Sequence, residues 1–311
     1  MASIKREIKD TINLTETHIA PSLPHPIRLQ EYGVGFFKSA LTKSALKKVL
    51  KKNHITVNEH IATSATLING GEHITISIPK DINPTHTLIF PLTVLFEDDY
   101  LAALHKPAGI LVSGNTFKTM ANALAQNVKR STRYDAARPQ PVHRLDFATT
   151  GILLVGKTSS SIRALNQLFE AKTVHKTYYA VTIGDMEAEG TITSNIDDKP
   201  SQSHYKVLES VASKRFGTLN LVRLKPLTGR RHQLRKHLYS INHPILGDKD
   251  YGIADLILKG KGLYLHAYSL SFNHPFTNET MHLKDDFPKR FKKLFPSKIA
   301  EIMANNTSLH Y

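Results

Sequence analysis

Four consecutive large apolar residues, Ile152-Leu153-Leu154-Val155, stand between Gly151 and Gly156, with Lys157-Thr158 directly after. A short apolar run bounded by glycines reads as a buried strand. The same residues satisfy the spacing of a phosphate-binding loop, G-x-x-x-x-G-K-T, and a helix-like segment follows. The two readings exclude each other. A phosphate loop turns successive backbone N–H groups toward an anion, and an apolar strand must lead into it. Here the preceding Phe147-Ala148-Thr149-Thr150 is short and mixed, and no downstream apolar strand ends in a metal-binding Asp. An open anion cradle would also expose four large side chains to water. The strand reading prevails, and no nucleotide cofactor is expected.

Immediately before this strand lies a turn-like segment, Pro141-Val142-His143-Arg144-Leu145-Asp146. A carboxylate on a loop between rigid elements, with a cation beside it, is a common way to build a site. Taken alone, Asp146 could equally cap a turn or pair with a neighbouring Arg.

The chain has 311 residues, enough for one large domain or two, and carries 41 Lys and Arg against 26 Asp and Glu, a net charge of +15. Such an excess favours a polyanionic partner through Coulomb steering and counterion release. The absence of Cys excludes disulfides, thiolate nucleophiles and Cys-ligated zinc. His-only metal sites stay open, but no H-E-x-x-H motif occurs, and His232 and His237 are spaced badly for one helix face. The N-terminus lacks an apolar signal core, and no run is long enough to span a membrane, which leads to the expectation of a cytoplasmic protein.

Residues 1–36, with Pro21, Pro24 and Pro26 clustered, read as an N-terminal extension or linker. Residues 37–80 carry seven Lys against two Glu. Within them 42–52 forms an amphipathic helix, with Ala45, Leu46, Val49 and Leu50 on one face and Lys47, Lys48, Lys51 and Lys52 on the other. Asn53 suits the helix end because it tolerates left-handed geometry. Strands are expected at 55–60 and 73–78. This helix, turn, Val57-Asn58 and Gly70-Gly71-Glu72 order resembles the small RNA-binding module named after ribosomal protein S-four, although Asn53 and Glu59 stand where that family often has Gly. On that reading Lys43, Lys47, Lys48 and Lys51 contact RNA.

Further along, strands are expected at 93–97, 100–104, 151–155, 178–183, 204–210, 218–224 and 262–272, and helices at 159–171 and 231–240. A surface helix over 287–295 precedes a C-terminal tail at 296–311. Strands and helices mix without regular alternation, which argues α+β rather than a doubly wound sheet. Two more segments carry chemistry. Thr228-Gly229 ends a strand ahead of Arg230, Arg231, Arg235 and Lys236, and Arg forks are good phosphate or carboxylate ligands. Lys176-Thr177-Tyr178 puts an aromatic behind a cation, a stacking surface for a base, though a lone Tyr on a strand is more often a core residue.

Together these segments strongly resemble the RluA-type family of RNA pseudouridine synthases. The residues that carry the resemblance are H-R-L-D at 143–146 with T-G-I-L-L-V behind it, K-T-Y at 176–178, L-T-G-R-x-H-Q-L-R from 227 and H-P-I-x-G-D ending at 248, with Lys106-Pro107-Ala108-Gly109 as an early K-P-x-G. Order and spacing agree over roughly 93–275. The chain departs from the family at Phe147-Ala148, where a charged pair is usual, and at Arg231 and Lys236, usually Thr and apolar. The resemblance implies a pseudouridine synthase fold over 88–295, a mainly antiparallel mixed sheet with flanking helices and an active-site cleft. It further implies isomerisation of uridine in RNA without cofactor or metal. Asp146 would be the essential carboxylate, as nucleophile or base, with Arg235 holding its pKa down and Tyr178 stacking on the uracil. Because a paired base is unreachable, the target must flip out, and His143 or Arg144 would fill its place or contact phosphate, with Arg230 and Arg231 also on the RNA. Large-subunit ribosomal RNA is the favoured partner, transfer RNA the runner-up, and a monomer is expected. The competing reading is a noncatalytic RNA-binding or ribosome-assembly protein on the same scaffold.

Overall fold

The computed structural model describes residues 13–40, 43–79, 88–258, 260 and 262–305. The chain divides into two compact units, Met1–His86 and Thr87–Tyr311.

The first unit contains β1 (Asn13–Ile19), β2 (Ile27–Arg28), α1 (Leu29–Tyr32), α2 (Lys43–Lys51), β3 (Ile55–Val57), β4 (His60–Ile61), β5 (Leu67–Ile68) and β6 (His73–Pro79). Its main sheet has the order β1-β6-β3-β4, and β2 pairs with β5. The expectation that 1–36 is an extension is therefore corrected for the described part, from residue 13 on. β1 pairs with β6 along its whole length, and Ala20, Leu29 and Tyr32 are buried with Leu46, Leu50, Ile55, Ile74 and Ile76. The prolines punctuate a turn inside the unit. Composition concealed this because β1 is an edge strand with Leu14 and Ile19 exposed, held by backbone pairing more than by burial.

Helix α2 forms as expected. Leu46 and Leu50 enter the core while Lys47, Lys48, Lys51 and Lys52 stay at the surface, and Asn53 takes the left-handed conformation at φ 58°. The strand expected over 55–60 stops at Val57. Asn58 and Glu59 are both left-handed, at φ 48° and 69°, and turn the chain into β4.

The second unit runs through β7 (Val94–Glu97), β8 (Leu101–Lys106), α3 (Met120–Asn127), β9 (Ala136–Pro141), β10 (Thr150–Thr158), α4 (Ser159–Glu170), β11 (His175–Ile183), β12 (Glu189–Ile196), β13 (Lys199–Ser213) and β14 (Gly217–Pro226). It ends with α5 (Gln233–Ser240), β15 (Leu265–Asn273), β16 (Thr280–Lys284), α6 (Lys289–Leu294) and α7 (Pro296–Asn305). One sheet follows the order β12-β13-β14-β11-β15-β10-β8-β7, with β16 on β15 and β9 on β10. Every pairing is antiparallel except β10 with β15, which run parallel through Thr150↔His266 and Gly151↔Ala267. The two backbones approach so closely that a Cβ on Gly151, at φ 122°, would collide with Ala267. Only glycine fits there.

All nine residues of β10 are buried, which disposes of the phosphate-loop pattern. Lys157 is not poised for an anion. Its Nζ donates to Glu97 Oε1 at 2.7 Å and to the Asp98 carbonyl, and Thr158 caps α4 in a capping box with Ser161. The surface helix expected over 287–295 is corrected. Phe287, Phe291 and Phe295, four residues apart, share one face and are fully buried among Tyr179, Tyr264 and Tyr268. The expected tail likewise begins as α7, with Ile299 buried, and its last residues, 306–311, lie outside the described residues. The cluster of Lys and Arg in α6 masked an aromatic stripe of helical period.

Candidate active site

Asp146 sits on the loop between β9 and β10, at the end of β10 where the parallel pairing to β15 begins. Three contacts freeze this loop. The Thr149 N–H donates to the Asp146 carbonyl at 3.1 Å and the Gly109 N–H to the Phe147 carbonyl at 2.8 Å. The Leu154 N–H donates to His143 Nε2 at 2.9 Å. Beneath them the Lys106 ammonium, fully buried, donates to the carbonyls of Pro107 at 3.0 Å, Phe147 at 3.3 Å and Thr149 at 2.8 Å. Burial lowers the Lys106 pKa to about 8, against the pull of Asp146. A cation buried in a ring of loop carbonyls fixes the backbone that carries the carboxylate.

The opposite wall comes from the β14–α5 connection. The Gln233 side chain ties it down, accepting from Thr228 Oγ1 at 2.6 Å and the Arg230 N–H at 3.0 Å and donating to the Gln202 carbonyl at 2.9 Å. His232 precedes α5 in a left-handed conformation, φ 56°, and its Nδ1 lies 3.0 Å from the Tyr251 hydroxyl. Arg235 is buried and makes a fork to Asp248, Nε–Oδ2 2.7 Å and Nη2–Oδ1 2.6 Å, plus Nη2–Asp250 Oδ2 at 2.6 Å. Its guanidinium also faces the Tyr251 ring at 4.9 Å. Burial opposes its charge, and the bonds to Asp248 and Asp250 outweigh burial and raise its pKa.

Asp146 faces this wall without being bonded to it. Its Oδ2 is 3.8 Å from Arg235 Nη1 and its Oδ1 3.9 Å from His232 Nε2, both beyond hydrogen-bond distance. The carboxylate therefore feels positive charge while keeping its lone pairs free. It opens on a cleft of about 450 Å³, lined also by Tyr178 and Leu265 and by the cations Arg144, Lys172, Lys176, Arg230 and Arg231. That volume suits a small ligand such as a nucleoside. Burial, then the Asp146 charge, push the Tyr178 pKa up, so this phenol keeps its proton at neutral pH.

Residues 100–240 match the family described as RNA pseudouridylate synthase. The chain is 32% identical over 273 residues to ribosomal large subunit pseudouridine synthase D of Nitrosomonas europaea, covering 79% of this chain and 77% of that protein. The chain belongs to the RNA pseudouridylate synthase family. It is also 30% identical to ribosomal large subunit pseudouridine synthase C of Rickettsia prowazekii, over 88% of this chain and 97% of that one. Among solved structures the synthase resembles human RNA pseudouridylate synthase domain containing 1, with TM-score 0.53 and 25% identity over 63% of this chain and 84% of that one. Human RNA pseudouridylate synthase domain containing 4 aligns with TM-score 0.54 and 24% identity, over 67% and 93%. The pseudouridine synthase fold and an isomerase acting on RNA, both implied by the sequence, are thus confirmed.

The synthase brings Asp146, Tyr178, Arg235, Arg144, Arg230 and Arg231 to one cleft, from positions up to 91 apart. Two assignments change. His143 lines the cleft but is no cationic RNA contact. Its Nε2 is occupied as an acceptor, its ring stacks on Phe169 at 4.8 Å, and burial, reinforced by Lys176, lowers its pKa to about 3. Arg235 has Asp248 and Asp250 as its close partners, with Asp146 more distant. Sequence reasoning gave no role to Lys106, Lys176, His232, Asp248, Asp250 or Tyr251. Asp248 stands in the quoted H-P-I-L-G-D segment, yet nothing in the chain says that it meets Arg235. The four Lys of α2 belong to the other unit, where Lys43 pairs with Glu31 at 2.6 Å and Lys47, Lys48 and Lys51 are exposed.

Proposed function

We propose that Asp146 is the essential carboxylate of uridine isomerisation in this protein, acting on a uridine flipped into the cleft. The observation that carries this is its geometry: a rigidly mounted carboxylate with the Arg235 guanidinium at 3.8 Å, the His232 imidazole at 3.9 Å and, among the described residues, no hydrogen bond to its oxygens. A hydrogen-bonded Arg would occupy the lone pairs that must reach the ribose. The Arg235 guanidinium at arm's length places positive charge beside the carboxylate without blocking it. As nucleophile or as base, Asp146 acts on the sugar while the bond from carbon 1 of the ribose to ring nitrogen 1 breaks. The uracil then turns, carbon 5 bonds to the sugar, carbon 5 loses its proton and nitrogen 1 gains one. No electrons leave the system.

Arg235 serves as a fixed positive wall, since Asp248 and Asp250 hold its position. Tyr178, protonated at neutral pH, stacks on the uracil. Arg144, with Arg230, Arg231 and Lys176, receives phosphates and recovers the few kcal/mol that unstacking costs. Lys47, Lys48 and Lys51 on α2 grip RNA away from the reacting base. The named relatives support large-subunit ribosomal RNA as substrate; transfer RNA is the alternative, and the protein acts as a cytoplasmic monomer.

The test is a pseudouridine map of total RNA from cells lacking the gene, complemented with wild type or Asp146→Asn. One uridine should lose its modification and regain it only with wild type, while purified Asp146→Asn binds that RNA within a few-fold of wild type. Restoration by Asp146→Asn would refute the assignment.

A further inference from the structure

From the end of α3 into β9 the chain carries Lys129, Arg130, Arg133 and, within β9, Arg138, all exposed, and none of them lines the cleft. Among them stands Tyr134, 97% exposed, the most exposed of the large apolar side chains among the described residues. A single exposed aromatic ordinarily signifies little. This one is carried by a backbone fastened on both sides. The Ala136 N–H donates to the Arg133 carbonyl at 3.0 Å, making Tyr134 and Asp135 the centre of a tight turn. On one flank Asp135 caps the start of α4, its carboxylate accepting from the Ser160 N–H at 2.8 Å and its carbonyl from the Ser159 N–H at 3.0 Å. On the other, Asp99 in the β7–β8 turn accepts from the Thr132 N–H at 3.2 Å and Oγ1 at 2.5 Å. Glu97 Oε1 accepts from the Lys129 N–H at 2.7 Å, and the Arg133 guanidinium lies over the Tyr100 ring at 5.0 Å.

The acids of this region are thus engaged by the fold, while the cations and one ring face solvent on a rigid support. Holding a ring out in advance removes the ordering cost of using it. An aromatic platform flanked by cations is the pattern that binds single-stranded nucleic acid, the ring stacking on a base and the cations tracking phosphates. A protein partner would call for a contiguous apolar patch, and Tyr134 stands alone among Lys and Arg. β9 leads from this turn toward the Asp146 loop, its six residues spanning about 20 Å at ~3.3 Å each. RNA with its target uridine in the cleft would reach the turn within a few nucleotides.

We propose that the 129–138 turn is a second RNA contact, in which Tyr134 stacks on an unpaired base flanking the target and Lys129 and Arg130 bind the adjoining phosphates. The proposal rests on the reading of the protein as an RNA-modifying synthase. It is tested with the full-length protein in two assays. One is binding of a fluorescein-labelled twenty-nucleotide oligouridylate, and the other is pseudouridine formation in total RNA from cells lacking the gene. Tyr134→Ala should weaken binding about ten-fold and slow modification by a similar factor at low RNA, with the rate recovering at high RNA. Tyr134→Phe should stay within two-fold of wild type in both assays, because stacking needs the ring and not the hydroxyl. Lys129→Ala with Arg130→Ala should reduce the salt slope of binding by about one unit. Tyr134 touches no core, so melting temperatures should not move. Wild-type behaviour of Tyr134→Ala in both assays would overturn the proposal, and so would equal losses in Ala and Phe. If wild type makes no pseudouridine while Tyr134→Ala still loses binding, the RNA contact stands and the synthase reading falls.

Discussion

At the scale of single residues, the buried charges differ in what they can tolerate. Arg235 has its guanidinium engaged by Asp248, whose side chain is itself inaccessible. Asp248→Ala would leave a buried cation with only the exposed Asp250 close by, and breaking a buried pair from one side costs several kcal/mol. A loss of about 3 kcal/mol in urea unfolding is expected, together with lower turnover, since Arg235 would no longer hold its place opposite Asp146. Two histidines, His266 fully buried and His143 partly so, make a second prediction. Burial lowers His143 to about 3 and His266 to about 4, far below an unfolded histidine near 6.5. Between those values the unfolded chain binds protons that the folded chain does not. Stability is therefore fully present above pH 6.5 and is lost as pH falls toward 4. Each histidine should contribute about 1–2 kcal/mol of loss between pH 7 and 5. His143→Gln should flatten the fall in melting temperature over that range.

At the scale of elements, the turn between β3 and β4 carries a local cost. Asn58 tolerates its left-handed backbone, and its Oδ1 accepts from the His73 N–H at 2.9 Å. Glu59, at φ 69°, has no such compensation, and two-residue hairpin turns of this kind favour Asn-Gly. Glu59→Gly should stabilise the N-terminal unit by about 1 kcal/mol, read as slower amide exchange in β3 and β6. Elements with an internal signal were legible: α2 from its amphipathic period, β10 from its apolar run, and α4 from its stripe and the hydroxyl residues at its start. β1, β9 and β12 were not. Their residues alternate weakly, and they are strands because a neighbour offers backbone partners. The Phe stripe of α6 was present in the sequence but outweighed by surrounding charge.

At the scale of the whole molecule, the net charge of +15 is spread over both units, with the α2 lysines in one and the cleft cations in the other. Removing residues 1–80 should weaken RNA binding about ten-fold and lower its salt slope by roughly two units, as the contributions of two or three phosphate contacts are lost. Turnover at saturating RNA should change little, because the groups lining the cleft all belong to the second unit. Titration of binding against potassium chloride, with both proteins in parallel, checks this.

By itself the sequence determined the α+β class, the strand at β10 and the amphipathic α2, and its resemblance to one family pointed to Asp146, Tyr178 and Arg235 as candidate site residues. Periodicity and motif spacing are local, so a chain displays them without folding. The tertiary structure decided which groups meet. Asp146 and His232 are 86 positions apart and come within 3.9 Å only because β10 joins β15 in parallel while α5 packs beside β13 and β14. Likewise the sequence offered Arg235 several acids, and packing selected Asp248 and Asp250, leaving Asp146 unbonded. Pair choice among charges depends on distance and burial, and both are properties of the fold.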